Sequence, residues 1–137
     1  MNYVGYVTSR SFGPIMMPVP AQNSCLREYV NRRGGNYILP ALESNYANCY
    51  HQLFGTIKTI KENSVLIMYS ILMLPDEEKK RKKIYDLASS KNMNFAFVME
   101  NLETSNQFRI EDEIKVYDLK PFSQSIKDFK VNLVKYK

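Results

Sequence analysis

The sequence predicts a single three-layer α/β domain with a mainly parallel sheet over residues 1–120, followed by a basic C-terminal extension, residues 121–137. Three observations carry this. Short apolar, β-branched segments alternate with stretches of helical periodicity, the order that builds a parallel sheet through right-handed crossovers. One segment, Val65-Leu66-Ile67-Met68, is continuously apolar, as a strand covered by helices on both faces must be. The 137 residues, 45% hydrophobic with 5 Gly, 6 Pro and no low-complexity run, have the length and composition of one ordinary core.

Each element follows from local chemistry. Residues 2–8 (NYVGYVT) are rich in β-branched and aromatic side chains and precede a loop with Gly13, Pro14, Pro18 and Pro20, which reads as a first strand and a rigid loop. From Pro20, apolar residues recur at Cys25, Leu26, Tyr29 and Val30 until Gly34-Gly35, a first helix with its stop. Residues 36–39 form a short strand; Ser44 or Asn45 then caps a helix with Cys49, Leu53, Ile57 and Ile60 inward. Residues 64–71 form the strongest strand and belong at the sheet centre. Pro75-Asp76-Glu77-Glu78 starts a third helix with Ile84, Tyr85, Leu87 and Ala88 as its buried stripe, ending at Lys91-Asn92. Residues 94–99 make a fourth strand. Further on, residues 113–119 are expected as one more strand and residues 121–137 as an amphipathic tail.

The formal charge of +5 is unevenly placed. Residues 113–137 hold six Lys against three acids, and the run from Lys79 to Lys83 is preceded by Asp76, Glu77 and Glu78, an acid-first order that suits a solvated helix face. No specific nucleic-acid partner is therefore expected. Cys25 and Cys49 are too few for a disulfide framework and lack metal-ligand spacing, so reduced thiols, a cytoplasmic location and no metal are expected. The longest apolar stretch is broken by Tyr69 and Ser70, too short for a membrane span. Seven Met and ten Tyr in so small a chain point to a homo-oligomer.

Open parallel sheets bind ligands beyond the carboxyl ends of their strands. Here those ends release Ser9-Arg10-Ser11-Phe12, residues 43–50, Tyr69-Ser70-Ile71 and Glu100-Asn101. Arg10 can grip a phosphate or carboxylate beside a helix N-terminus that carries Gln22 and Asn23, or it can be a surface arginine. Glu43 and Glu100 read either as a general acid and base or as holders of Arg10 or Arg27. Cys49 and His51 diverge by roughly 200° on a helix and form no direct dyad. No nucleophile elbow, phosphate-binding glycine loop or cofactor motif is present, and no cofactor is expected.

The ordered set Gly5-Tyr6, Ser9-Arg10-Ser11-Phe12, Pro18, Gln22-Asn23, Leu26-Arg27, Tyr29, Glu43, Cys49-Tyr50, Tyr69-Ser70, Met73-Leu74-Pro75, Arg81, Tyr85, Phe97 and Glu100 resembles the sporadic carbohydrate cluster protein family. That family usually shows Ser-Arg-Pro-Phe where this chain has Ser11 in third place. The resemblance implies a role in capsule, lipopolysaccharide or related glycan assembly, as an enzyme or accessory subunit acting on a sugar, sugar phosphate or nucleotide sugar. On that implication Glu43, Glu100 and Tyr6 are candidate catalytic residues, and Ser9, Arg10, Gln22, Asn23, Arg27, Tyr50, Tyr69 and Ser70 bind an anionic small-molecule substrate. Tyr6, Ser9, Gln22 and Leu26 also look like the serine recombinase catalytic domain, so the fold is expected to be flavodoxin-like or resolvase-like. Those enzymes place an arginine cluster near the serine and after the third strand, whereas residues 69–75 hold no arginine and no helix-turn-helix follows. A degenerate recombinase-like domain, or a noncatalytic scaffold, is the alternative.

Overall fold

A computed structural model describes residues 1–43 and 49–118. It falls into two compact units, Met1–Ser105 and Asn106–Lys137.

In the first unit β1 (Asn2–Thr8) pairs in parallel with both β2 (Asn36–Glu43) and β3 (Val65–Met68), and β3 pairs in parallel with β4 (Asn94–Phe97). With residues 102–104 as β5, the strand order is β2-β1-β3-β4-β5. Chain order thus reverses between β1 and β3, which makes the carboxyl ends of those two strands the natural mouth of a site. All four β3 residues are buried and the strand is the middle one, as its unbroken apolar run requires.

Helix α1 (Val19–Arg32) covers one face. It begins with proline in its first turn and buries Leu26, Tyr29 and Val30 against Tyr3, Val7, Val65, Ile67 and Ala96. Side chains alternate along a strand, so Phe95 faces the other way, where Tyr85 of α3 (Glu78–Ser90) meets it edge-on at 6.1 Å. Helix α2 (His51–Thr59) packs beside α3 and buries Leu53 and Ile57. Helices therefore cover both faces.

Three details depart from the sequence expectation. Strand β2 continues through Pro40 to Glu43, because a bulge sets Leu39 and Pro40 opposite Gly5 and restores pairing at Tyr6–Ala41. A Cβ on Gly5 would lie 2.7 Å from the Tyr37 hydroxyl and 3.2 Å from Pro40, so only glycine fits under the bulge. The third strand stops at Met68; Ser70 then accepts the Leu72 N–H and opens a 3-10 turn, Ile71–Met73. After β4, Asn101 at φ 50° reverses the chain into β5 (Leu102–Thr104), an antiparallel edge strand that was not expected.

In the second unit the strand expected at residues 113–119 is a helix over its described part, α4 (Gln107–Asp118). Its start is capped by Asn106, whose side-chain oxygen accepts from Phe108 and Arg109 N–H groups, and Arg109 pairs with Glu113 one turn on. The expected caps Ser44 and Asn45, Leu119 and the extension 121–137 lie outside the described residues. Among the described residues no helix is long and apolar enough to cross a membrane, and both cysteines are unbridged.

Candidate functional site at the mouth of the sheet

The exit of β1 is held by a buried amide. Gln22 is fully buried in α1; its Oε1 accepts from Thr8 N at 3.2 Å, and its Nε2 donates to Thr8 O at 2.6 Å and Met17 O at 2.8 Å. Both backbone groups of Thr8 are thereby satisfied beyond the ladder, which fixes where the next residues emerge. Ser9 emerges exposed, and among the described residues none is hydrogen-bonded to its hydroxyl.

Arg10 turns back onto the protein. Its Nη1 donates to Cys49 O at 2.5 Å and its guanidinium lies 4.5 Å from the centre of the Tyr50 ring, with its backbone N–H on Thr8 Oγ1. Lys80 of α3 stands 5.8 Å from the same ring. Burial pushes the Tyr50 phenol above its ordinary value, and the Arg10 charge pulls it partly back.

Glu43, at the end of β2, is 2% exposed, and among the described residues four donors converge on it. The Tyr6 hydroxyl donates at 3.0 Å, Gln52 N at 3.0 Å, Leu53 N at 3.1 Å and the Cys49 thiol at 3.5 Å. The carboxylate thus sits on the N-terminus of α2, where free N–H groups and the helix dipole both favour an anion. Tyr6 is raised strongly above the usual tyrosine range, first by burial and then by the Glu43 charge, against the opposing charge of Arg10.

At the exit of β3, Ser70 is fully buried and donates to Glu100 at 2.9 Å, while Glu100 also receives Ile71 N at 2.6 Å. Tyr69 packs with Phe12, ring centres 6.1 Å apart. Asn23 and Arg27 lie elsewhere. Asn23 accepts the Tyr37 hydroxyl at 2.8 Å and Arg27 stands 5.4 Å over the Tyr37 ring, above Gly5 on the α1 face. The structure therefore brings Tyr6, Arg10, Glu43 and Tyr50 together, groups Ser70 with Glu100 one strand away, and sets Asn23 and Arg27 apart. The residues missed in the sequence are Thr8, Lys80 and the backbone amides of Gln52 and Leu53. The amides had a readable signal, an acid just ahead of a helix start; Lys80 had none.

No family model matches the chain, and no curated protein matches it. Among solved structures it is similar to the N-terminal catalytic domain of TP901-1 integrase (13% identity, TM-score 0.61, covering 97% of this chain and 98% of that one). It is similar to a resolvase family site-specific recombinase from Streptococcus pneumoniae (10%, TM-score 0.60, 99% and 98%). A third is the C-terminal catalytic domain of ISC1926 TnpA, an IS607-like serine recombinase (14%, TM-score 0.52, 97% and 99%).

These neighbours overturn the carbohydrate expectation. Capsule, lipopolysaccharide and glycan assembly, with an anionic sugar-type ligand and no specific nucleic acid as partners, find no counterpart among them, whereas the resolvase-like fold does. The mouth gives the physical reason: the Arg10 fork rests on Cys49 and Tyr50, and at the start of α1 the Gln22 amide is committed to Thr8 and Met17 while Asn23 accepts from Tyr37. What the chain is similar to, along nearly its whole length and theirs, is the catalytic domain of the serine recombinases, and what it shares with them at these identities is the mixed α/β, resolvase-like fold.

Proposed function

We infer that this chain is a recombinase-type domain that takes part in a DNA transaction by binding, without cutting a strand. The observation that carries the reading is the asymmetry of the mouth. A serine that attacks a phosphodiester needs its developing charge met by cations fixed around it. At the exit of β1 an exposed Ser9 is followed by Arg10, whose guanidinium is already bound to Cys49 O and the Tyr50 ring. At the exit of β3, residues 69–75 supply no arginine or lysine, and Ser70 is tied to Glu100.

Binding is a different matter. The chain carries +5, and Lys79, Lys82 and Lys83 are exposed along α3, a basic strip that suits phosphate contacts without sequence readout. In this reading Glu43, Gln22 and Glu100 hold the scaffold of the mouth, and the recombinase fold is kept for its shape.

The test uses the 137-residue chain with a supercoiled plasmid and a labelled duplex. Retention of the duplex that declines steeply with salt and weakens in a Lys79→Glu, Lys82→Glu, Lys83→Glu variant is expected, with no nick and no protein–DNA adduct on a denaturing gel. A covalent adduct that disappears in Ser9→Ala would overturn the noncleaving part; absence of any duplex binding at low salt would overturn the reading whole.

A further inference from the structure

An aromatic ring and several cations meet where the start of α2 faces α3. Tyr50 opens α2, and α2 packs beside α3. The ring is half-buried, with the Arg10 guanidinium 4.5 Å and the Lys80 ammonium 5.8 Å from its centre. Two cations from different elements thus share one ring. Arg81, next in sequence to Lys80, is turned elsewhere, since its Nη1 donates to Pro75 O at 3.1 Å and Asp76 O at 2.8 Å.

The cations continue along α3. Lys83 follows Lys79 by four residues and Lys80 by three, a spacing that sets the three side chains on one side of the helix, with Lys79 and Lys83 exposed and Lys80 beside the ring. Lys80 also pairs with Glu77 at 3.6 Å, a surface contact that an incoming phosphate exchanges at little cost. Spread over a full helical turn, about 5.4 Å, and a ring beside it, these cations suit a run of phosphates more than a single one.

Charge sorts what each part takes. Burial first, and then the Asp76 and Glu43 charges, raise the Tyr50 phenol against the pull of Arg10. Two carboxylates that act on the ring make it a poor seat for a phosphate and leave it open to a neutral π face. Every nucleobase has such a face, but in a duplex it is covered by its stacked neighbours, so only an unpaired base can bring one to a side chain. We propose that Tyr50 is a stacking platform for an unpaired base of a DNA strand whose phosphates lie on Lys80, Lys83 and Lys79, so that the domain prefers a duplex with a single-stranded end to a blunt one. This rests on the DNA-binding reading above and names the kind of DNA.

The experiment measures binding of the full chain by anisotropy to a blunt duplex and to the same duplex with an overhang of about four nucleotides, within the span one such platform covers. A 2-aminopurine in the overhang reports stacking. The overhang duplex is expected to bind about tenfold tighter than the blunt one, with the 2-aminopurine quenched. Tyr50→Leu should erase preference and quenching together, leaving blunt-duplex affinity and melting temperature unchanged, while Tyr50→Phe keeps the ring and should keep both. Tyr50→Trp serves as a further variant: its wider ring should deepen the preference, a gain that a misfolded protein cannot give. Equal affinity for the two duplexes, or a preference that survives Tyr50→Leu, overturns the proposal while the DNA-binding reading stands. Absence of binding to either duplex overturns that reading itself. A free mononucleotide that displaces the overhang duplex at the overhang's own affinity overturns the assignment to a strand.

Discussion

The exits of β1/β2 and of β3 are built from the same parts, a carboxylate and a hydroxyl holding backbone N–H groups, yet they differ in depth. Glu43 is 2% exposed and receives the phenol of Tyr6, 37 residues away, together with two N–H groups of α2. Glu100 is half-buried and receives Ser70 and Ile71 N at the start of a single 3-10 turn. One carboxylate joins strand, helix and loop in a buried place; the other ties the end of β4 to the 3-10 turn after β3, nearer to solvent. Identical chemistry thus carries very different structural consequence, and burial sets which is which.

Replacing each acid is the sharpest way to break that comparison. Glu43→Ala leaves the Tyr6 hydroxyl and two N–H groups without their acceptor in a buried place, a loss of about 3–5 kcal/mol in urea denaturation. Glu43→Gln keeps one acceptor oxygen and should recover part of it. Glu100→Ala, nearer to solvent, is expected to cost about 1–2 kcal/mol. Equal losses at the two positions would mean that depth is not what separates the exits.

Gln22→Leu comes next in size. The substitution keeps roughly the volume but strands both backbone groups of Thr8 and Met17 O, so about 2–3 kcal/mol should be lost. Backbone amide exchange at Thr8 should quicken more than exchange in β3, because the amide secures the strand exit and not the sheet centre.

Alkaline pH separates the regions in another way. Burial raises Tyr6, and raises Tyr37 to about 12 with Arg27 pulling it down. The unfolded chain loses these protons near pH 10 while the folded chain keeps them, so stability present below pH 10 falls as pH rises, across 10 to about 12 for Tyr37. Tyr37→Phe should flatten that decline. Tyr6→Phe should flatten it too, but from a lower starting stability near neutral pH, about 1 kcal/mol down, because its hydrogen bond to Glu43 is gone.

Much of the fold was legible for a physical reason: periodicity and burial are properties of short segments, and residues 2–8, Val65–Met68 and the α3 stripe announce theirs. The antiparallel β5 was not, since three residues, Leu102 to Thr104, are too few to show a period and their turn rests on one Asn in a left-handed conformation. The helix at 107–118 was misread because Ile114, Val116 and Tyr117 look β-prone, while the Asn106 cap and the Arg109–Glu113 pair set the outcome. At the mouth, sequence located Arg10, Glu43, Ser70 and Glu100 through topology. Only Glu43, an acid just ahead of a helix start, signalled its main-chain partners; that Arg10 would rest on a carbonyl and Glu100 on an N–H left no residue type to read. The same blindness let short motifs stand for a carbohydrate role.

The smallest expected effect tests what Arg10 contributes as a charge and what it contributes as a plane. Its guanidinium lies over Tyr50 and its charge holds both the Tyr6 and Tyr50 phenols below where burial alone would put them. Arg10→Lys preserves the charge and removes the flat fork, so stability should fall by about 0.5–1 kcal/mol. Ultraviolet titration of the tyrosines should move little in that variant. Arg10→Met removes the charge as well, and the phenols should then titrate later still, in the direction burial already drives them. If Arg10→Lys delays the phenols as much as Arg10→Met does, the guanidinium acts on Tyr50 and Tyr6 through its hydrogen bonds more than through its charge. The β1 exit would then be held, like the β3 exit, by hydrogen bonds across the mouth.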